Sequence, residues 1–219
     1  MDTYILLDRS GSMTAKWPET LAAIDGYVRE LAHATPQTRV TLALFDDPTD
    51  GASSRPGGCR DPSWFHIART GQRADRWRPL SKIKAKPRGI TPLFDAIARI
   101  VKLVEERAAP RSVLVIVTDG EENASQTVTA AAAKAHLDRC RERGWQVIFL
   151  GADFSNFEQA SQLGAQPGQA LTMVSGSYSL SLGLLAQSTV SYNATGSQVQ
   201  LLPETPMSAS TAKLSSTLP

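Results

Sequence analysis

The sequence predicts an α/β fold, a doubly wound and mostly parallel sheet with helices on both faces, followed by an extended C-terminal tail. Three observations carry this expectation. Across the first 152 residues, short aliphatic runs alternate with segments of helical periodicity, the pattern of a parallel sheet wrapped by helices. Val113–Val117 is aliphatic without interruption, as expected of a strand buried on both faces. Thr3–Leu7 is a short apolar run that stops abruptly at Asp8-Arg9-Ser10-Gly11-Ser12, a strand delivering its carboxyl end into a polar loop.

The elements follow in order. Pro18 suits the first turn of a helix, and Leu21, Ile24, Val28 and Leu31 give that helix one apolar face. Val40–Phe45 is a second strand and Trp64–Ala68 a third, separated by a Gly/Pro/Ser-rich loop from Asp46 to Pro62. Thr91-Pro92 opens a helix with Leu93, Ile97, Ile100 and Val104 as its buried stripe. After the Val113–Val117 strand comes a helix near Thr127–Arg143, closed by Gly144. Val147–Leu150 is the next strand, Asn156–Leu163 a short helix and Ala170–Met173 an edge strand. Tyr178, Leu182, Leu185, Thr189 and Tyr192 fit one last helix. This gives a domain over residues 1–195 and a Ser/Thr/Pro-rich tail over 196–219, in which Val199, Leu201 and Leu202 are among the few apolar anchors, spaced for extended pairing.

Composition narrows the function classes. A chain of 219 residues with 42% hydrophobic residues builds one α/β core with chain left over, or two small domains. A formal charge of +2 argues against a dedicated nucleic-acid binder. No stretch approaches the roughly 20 apolar residues of a membrane helix, and the N-terminus lacks the basic region of a signal peptide, so the expected location is cytoplasmic. Cys59 and Cys140 lie far apart without Cys-x-x-Cys spacing, leaving two reduced thiols or one disulfide open. Arginine outnumbers lysine about two to one and alanine is frequent, a bias of GC-rich prokaryotic or phage genomes. His33, His66 and His136 do not cluster and read as structural, and Trp145 reads as core.

The chemistry is carried by three loops. In Asp8-Arg9-Ser10-Gly11-Ser12 one carboxylate and two hydroxyls alternate in a tight loop at the carboxyl end of a strand, where such folds place ligands. Oxygen-only donors suit a hard cation, Mg²⁺ first; serines capping backbone N–H groups at a turn would leave the same sequence. Thr91 precedes a helix, where it also makes an ordinary N-cap. Asp119-Gly120 ends the aliphatic strand, where a plain turn would look the same.

Together these loops resemble the metal-ion-dependent adhesion site of the von Willebrand factor type A family: Asp-x-Ser-x-Ser after the first strand, Thr before a middle helix, Asp-Gly after the fourth strand. The resemblance spans residues 1–155 and is complete at Asp8, Ser10, Ser12, Thr91 and Asp119. It implies a Rossmann-like fold and a bound Mg²⁺, with Mn²⁺ or Ca²⁺ as alternatives. In the family the serines and threonine touch the metal, while the aspartates act mostly through waters or hydrogen bonds. The cation then attracts an Asp or Glu of a partner protein, and Glu121 and Glu122 either rim that site or are solvated loop charges.

The expected function is therefore a metal-dependent adaptor, working beside an AAA+ ATPase or within a multiprotein assembly by analogy. The alternative is an assembly component held by its tail. A nucleic-acid role rests only on the basic segment Arg69, Arg73, Arg76, Arg78, Lys82, Lys84, Lys86 and Arg88 around Trp77. That segment reads equally as a solvated connection, or as a charge that steers an acidic partner toward Thr91. No enzyme is expected: a phosphatase using Asp8 as nucleophile needs a second acid two residues on, where Ser10 stands.

Overall fold

The structure is a computed structural model describing residues 1–48, 61–106, 109, 111–151, 154–173, 176–199 and 201. Most of the expected Asp46–Pro62 loop, Cys59, Leu202 and the remaining tail lie outside the described residues. Six strands, β1 (Asp2–Asp8), β2 (Arg39–Phe45), β3 (Phe65–Arg73), β4 (Ser112–Thr118), β5 (Gln146–Gly151) and β6 (Ala170–Thr172), form one sheet in the order β3-β2-β1-β4-β5-β6. All neighbours pair in parallel except β3, which runs antiparallel to β2. The helices are α1 (Trp17–Ala34), α2 (Leu93–Glu105), α3 (Ala130–Glu142), α4 (Phe154–Gln162) and α5 (Tyr178–Thr195). No helix among the described residues is long and apolar enough to cross a membrane.

The sheet separates two cores, and β1 shows why its sequence is apolar throughout. Successive side chains of a strand point to opposite faces. Ile5 and Leu7 accordingly pack with Ile24, Val28 and Leu31 of α1 and with Leu182 and Leu185 of α5. Tyr4 and Leu6 pack with Ile97, Ile100 and Val104 of α2 and with Leu137 of α3. The stripe expected for the last helix is the buried one, with Tyr178, Leu182, Leu185, Thr189 and Tyr192 all inside. Trp145 is core, and Cys140 is a buried thiol outside any disulfide, pushed up to about 11 chiefly by burial.

Two elements differ from expectation for identifiable reasons. β3 continues to Arg73 beyond the expected Ala68, because an edge strand with a solvated face accepts arginines. Its register against β2 shifts twice, between Val40 and Leu42 and between Leu42 and Ala43. α3 starts at Ala130 with Thr129 as N-cap, not near Thr127. The backbone N–H groups of Gln126, Thr127 and Val128 are instead collected by the buried carboxylate of Asp95, at 2.8, 3.1 and 2.8 Å. The start of the tail packs on its own domain. Val199 and Leu201 are buried, and their N–H groups donate to Gln146 Oε1 at 3.1 Å and the Gly168 carbonyl at 2.9 Å.

The carboxyl end of the sheet is stitched by backbone hydrogen bonds. Arg9 N–H donates to the Phe45 carbonyl, Gly11 N–H to Gly89, and Arg88 N–H to Arg9, at 2.8, 3.0 and 2.9 Å. Asp47 and Ile90 exchange a pair at 2.8 and 3.0 Å. Gly89, between Arg88 and Ile90, has φ of 65°, and a Cβ there would lie 1.7 Å from the Asp47 carbonyl oxygen. Both the left-handed backbone and the close approach require glycine. Gly89→Ala should lower stability by more than about 2 kcal/mol in chemical denaturation, since strain and a backbone clash add. A midpoint equal to wild type would refute this account of the loop.

Candidate metal centre

Asp8 is the last residue of β1 and is fully buried. Its carboxylate accepts from Ser10 N–H at 2.6 Å on one oxygen and from the Thr118 hydroxyl at 2.6 Å on the other. Burial nevertheless pushes its carboxyl up to about 6, against the lowering effect of the Thr118 and Ser10 bonds. A cation set against this carboxylate would favour its charged form. Ser10 precedes a short 3₁₀ turn, Gly11–Ala15, but its hydroxyl does not cap that turn. The Ser10 and Ser12 hydroxyls instead bond each other at 3.0 Å, and Ser12 Oγ donates to Asp119 Oδ1 at 2.7 Å. Lys16 Nζ donates to Asp119 Oδ2 at 2.8 Å. Four of the five expected residues are thus one hydrogen-bonded chain linking the first and fourth strands.

Thr91 reaches the same place from the third loop. Its N–H donates to Asn123 Oδ1 at 2.8 Å, and Asn123 N–H returns a bond to the Thr91 carbonyl at 3.1 Å. The expected alternative role, capping α2, is filled by others: Phe94 N–H donates to Glu122 Oε2 at 2.9 Å and Asp95 N–H to Ser125 Oγ at 3.0 Å. The Thr91 hydroxyl is turned toward Gly120. A Cβ on Gly120 would meet Thr91 Oγ1 at 2.9 Å, Ser12 Oγ at 3.5 Å and Asp8 Oδ2 at 3.7 Å. Three oxygens from two loops therefore surround a space beside Gly120 of the third loop, a space that only the missing glycine side chain keeps open. The donor set, hydroxyls and carboxylates with no nitrogen or sulfur, fits a hard divalent cation. Among the described residues no group of three His, Cys, Asp or Glu side chains could hold a metal ion, and this set is completed instead by the hydroxyls of Ser10, Ser12 and Thr91.

Other sequence candidates fall elsewhere. Glu122 neither rims the site nor sits solvated: its carboxylate accepts from Phe94, Ala124 and Ser125 N–H groups and from the Ser125 hydroxyl. Glu121 is exposed. In the basic segment, Arg73 pairs with Asp75 and Arg88 with Asp46. Trp77 is half-buried, donates its indole N–H to Asp25 at 2.8 Å and packs on the α1 core. His33 and His66 are exposed, not structural core residues, and His136 is half-buried with its pKa lowered by burial and by Arg139. Sequence reasoning missed Lys16, Asn123 and the orienting role of Thr118. Thr118 directly precedes the Asp119-Gly120 pair, whereas Lys16 and Asn123 carry no local signal.

A family model for the von Willebrand factor type A domain matches residues 2–186. No curated protein matches the chain in sequence. Among solved structures, the pilus adhesin SpaC from Lactobacillus rhamnosus GG in its open conformation aligns with a TM-score of 0.67 at 13% identity, over 87% of this chain and 30% of the adhesin. Manganese-loaded TRAP protein from Plasmodium vivax gives 0.55 at 16% identity, over 82% of this chain and 70% of that one. Proximal thread matrix protein 1 from the mussel byssus, with a zinc-occupied MIDAS motif, gives 0.59 at 16% identity, over 84% of this chain and 46% of that one. This chain thus spans less than half the length of the adhesin and the byssus protein. At such identities the likeness is one of fold. With the family model covering the sheet, the three loops and the first half of α5, the chain belongs to the von Willebrand factor type A domain family.

Proposed function

We propose that the chain is a metal-dependent protein-binding module in which Asp8, Ser10, Ser12, Thr91 and Asp119 hold one divalent cation and a carboxylate of a partner protein completes its shell. The observation that carries this reading is the convergence of the Thr91 hydroxyl, the Ser12 hydroxyl and the Asp8 carboxylate above Gly120. Mg²⁺ is the preferred ion for an all-oxygen set, with Mn²⁺ or Ca²⁺ next. Held largely by neutral hydroxyls, such an ion keeps enough charge to draw in an outside Asp or Glu. The chain's own residues do the positioning. Thr118 and Ser10 N–H fix Asp8, Ser12 fixes Asp119, and Asn123 fixes the Thr91 backbone, while Lys16 offsets the charge of Asp119.

The structural relatives support a binding role: SpaC is an adhesin, and the TRAP and byssus structures hold manganese and zinc. The partner we infer is an acidic protein surface, within a multiprotein assembly or on an AAA+ ATPase. The tail-held assembly reading is less well supported, because Val199 and Leu201 are spent on this chain's own core.

Calorimetry on the purified protein should show one Mg²⁺ or Mn²⁺ per chain, and the near-isosteric Asp8→Asn should abolish it while leaving the circular dichroism spectrum intact. Equal binding by the variant would sink the assignment. Lys16 brings a positive charge onto Asp119. Lys16→Met should therefore tighten Mg²⁺ binding several-fold, and weaker binding would show that Lys16 supports the site. With Ser10 where a second acid would stand, no metal-dependent hydrolysis of p-nitrophenyl phosphate is expected; a steady rate lost in Asp8→Asn would overturn the non-catalytic reading.

A further inference from the structure

Beside the candidate metal centre lies a second cleft of about 490 Å³, formed where β3 meets the segment that leads to Thr91. Its walls carry Arg9, His66, Arg69, Lys84 and Arg88, and among the described residues no acidic side chain lines it. Two of these cations are built in. Arg9 is buried, and its guanidinium bonds Asp46 at 2.5 Å and the Ser63 carbonyl at 3.1 Å. Arg88 bonds the same Asp46 at 3.1 Å and the Ser63 hydroxyl at 2.6 Å. Two guanidiniums on one carboxylate leave that trio with a net positive charge. Arg69 adds a third guanidinium, whose Nε is buried without a hydrogen-bond partner. A desolvated donor of this kind is costly unless an acceptor meets it. Lys84 is exposed at the rim.

We propose that this cleft is a second anion subsite of the same binding face, taking a second carboxylate of the acidic partner segment whose first carboxylate goes to the cation. The proposal rests on the metal-dependent reading above for its first contact. Position supports it: Arg9 stands between Asp8 and Ser10 in the chain, and Arg88 N–H bonds the Arg9 carbonyl, so cleft and metal loops share one backbone. Consecutive Cα atoms are about 3.8 Å apart, and an extended partner strand advances about 3.3 Å per residue. Acids four residues apart in an extended segment therefore stand about 13 Å apart. Guanidinium groups also match carboxylate in planar, two-pronged geometry. A nucleic-acid strand is the less suited occupant, because Trp77, the aromatic of the segment, is held by Asp25 and the core.

The test uses two capped synthetic peptides, Gly-Gly-Asp-Gly-Gly and Asp-Gly-Gly-Gly-Asp, titrated into the full chain with Mg²⁺ or with EDTA. In Mg²⁺ the two-acid peptide should bind roughly tenfold tighter than the one-acid peptide. Lys84→Glu, at an exposed position, and Arg69→Gln should each erase most of that difference while leaving Mg²⁺ affinity unchanged. Equal affinity of the two peptides for wild type, or a difference that survives both variants, overturns the subsite. If the preference persists undiminished in EDTA and is still lost in Lys84→Glu, the cleft stands and the metal reading has failed. A short oligothymidine that binds more tightly than the two-acid peptide, and loses binding in the same variants, would replace the carboxylate occupant by phosphate.

Discussion

The hydrogen bond from the Thr118 hydroxyl to Asp8 joins the carboxyl ends of β1 and β4 at a carboxylate with no solvent-exposed surface. A buried charge is tolerated only where its lone pairs are met. The surroundings read as a set of answers to that demand. Ser10 N–H takes one oxygen and Thr118 the other. The serine pair carries the network to Asp119, and Lys16 ends it. Because the donors come from three loops, those loops must stay in register, which is the task of the backbone bonds around Gly89 and of Glu122 and Asp95 behind α2.

The fold and the five candidate residues were legible because each rests on a local regularity. Val113–Val117 and Thr3–Leu7 are aliphatic runs, and the α5 stripe from Tyr178 to Tyr192 is a clean helical repeat. The direction of β3 was not legible, since an edge strand carrying Arg69 and Arg73 resembles a charged loop. Nor was the true start of α3, because Asp95, over thirty residues earlier, holds the preceding segment. The same limit hid Lys16 and Asn123, whose partners Asp119 and Thr91 are distant in sequence. Glu122 shows the converse: a charge beside the motif whose work is to cap a helix.

Arg9 gives the tripeptide Asp8-Arg9-Ser10 two faces. Asp8 and Ser10 face the candidate cation site, while the Arg9 side chain between them runs sideways to Asp46 after β2 and Ser63 before β3. The Asp46 ion pairs therefore brace the metal loop from its β3 side, with Arg88 doing the same for the loop that leads to Thr91. Breaking a buried pair by removing one partner is strongly destabilising, so loop geometry and the charge of the neighbouring cleft are set by the same carboxylate.

The margins of the sheet have a consequence for how the domain meets its surroundings. An open strand edge is a template on which another chain can extend a sheet. Here one edge, β3, is twice out of register with β2 and studded with arginines, while the other, β6, is three residues long and followed by the Leu201 N–H bond to Gly168. Neither margin offers the long, flat ladder that strand addition requires. Copies of this domain can therefore crowd together or be strung in series without fusing side by side.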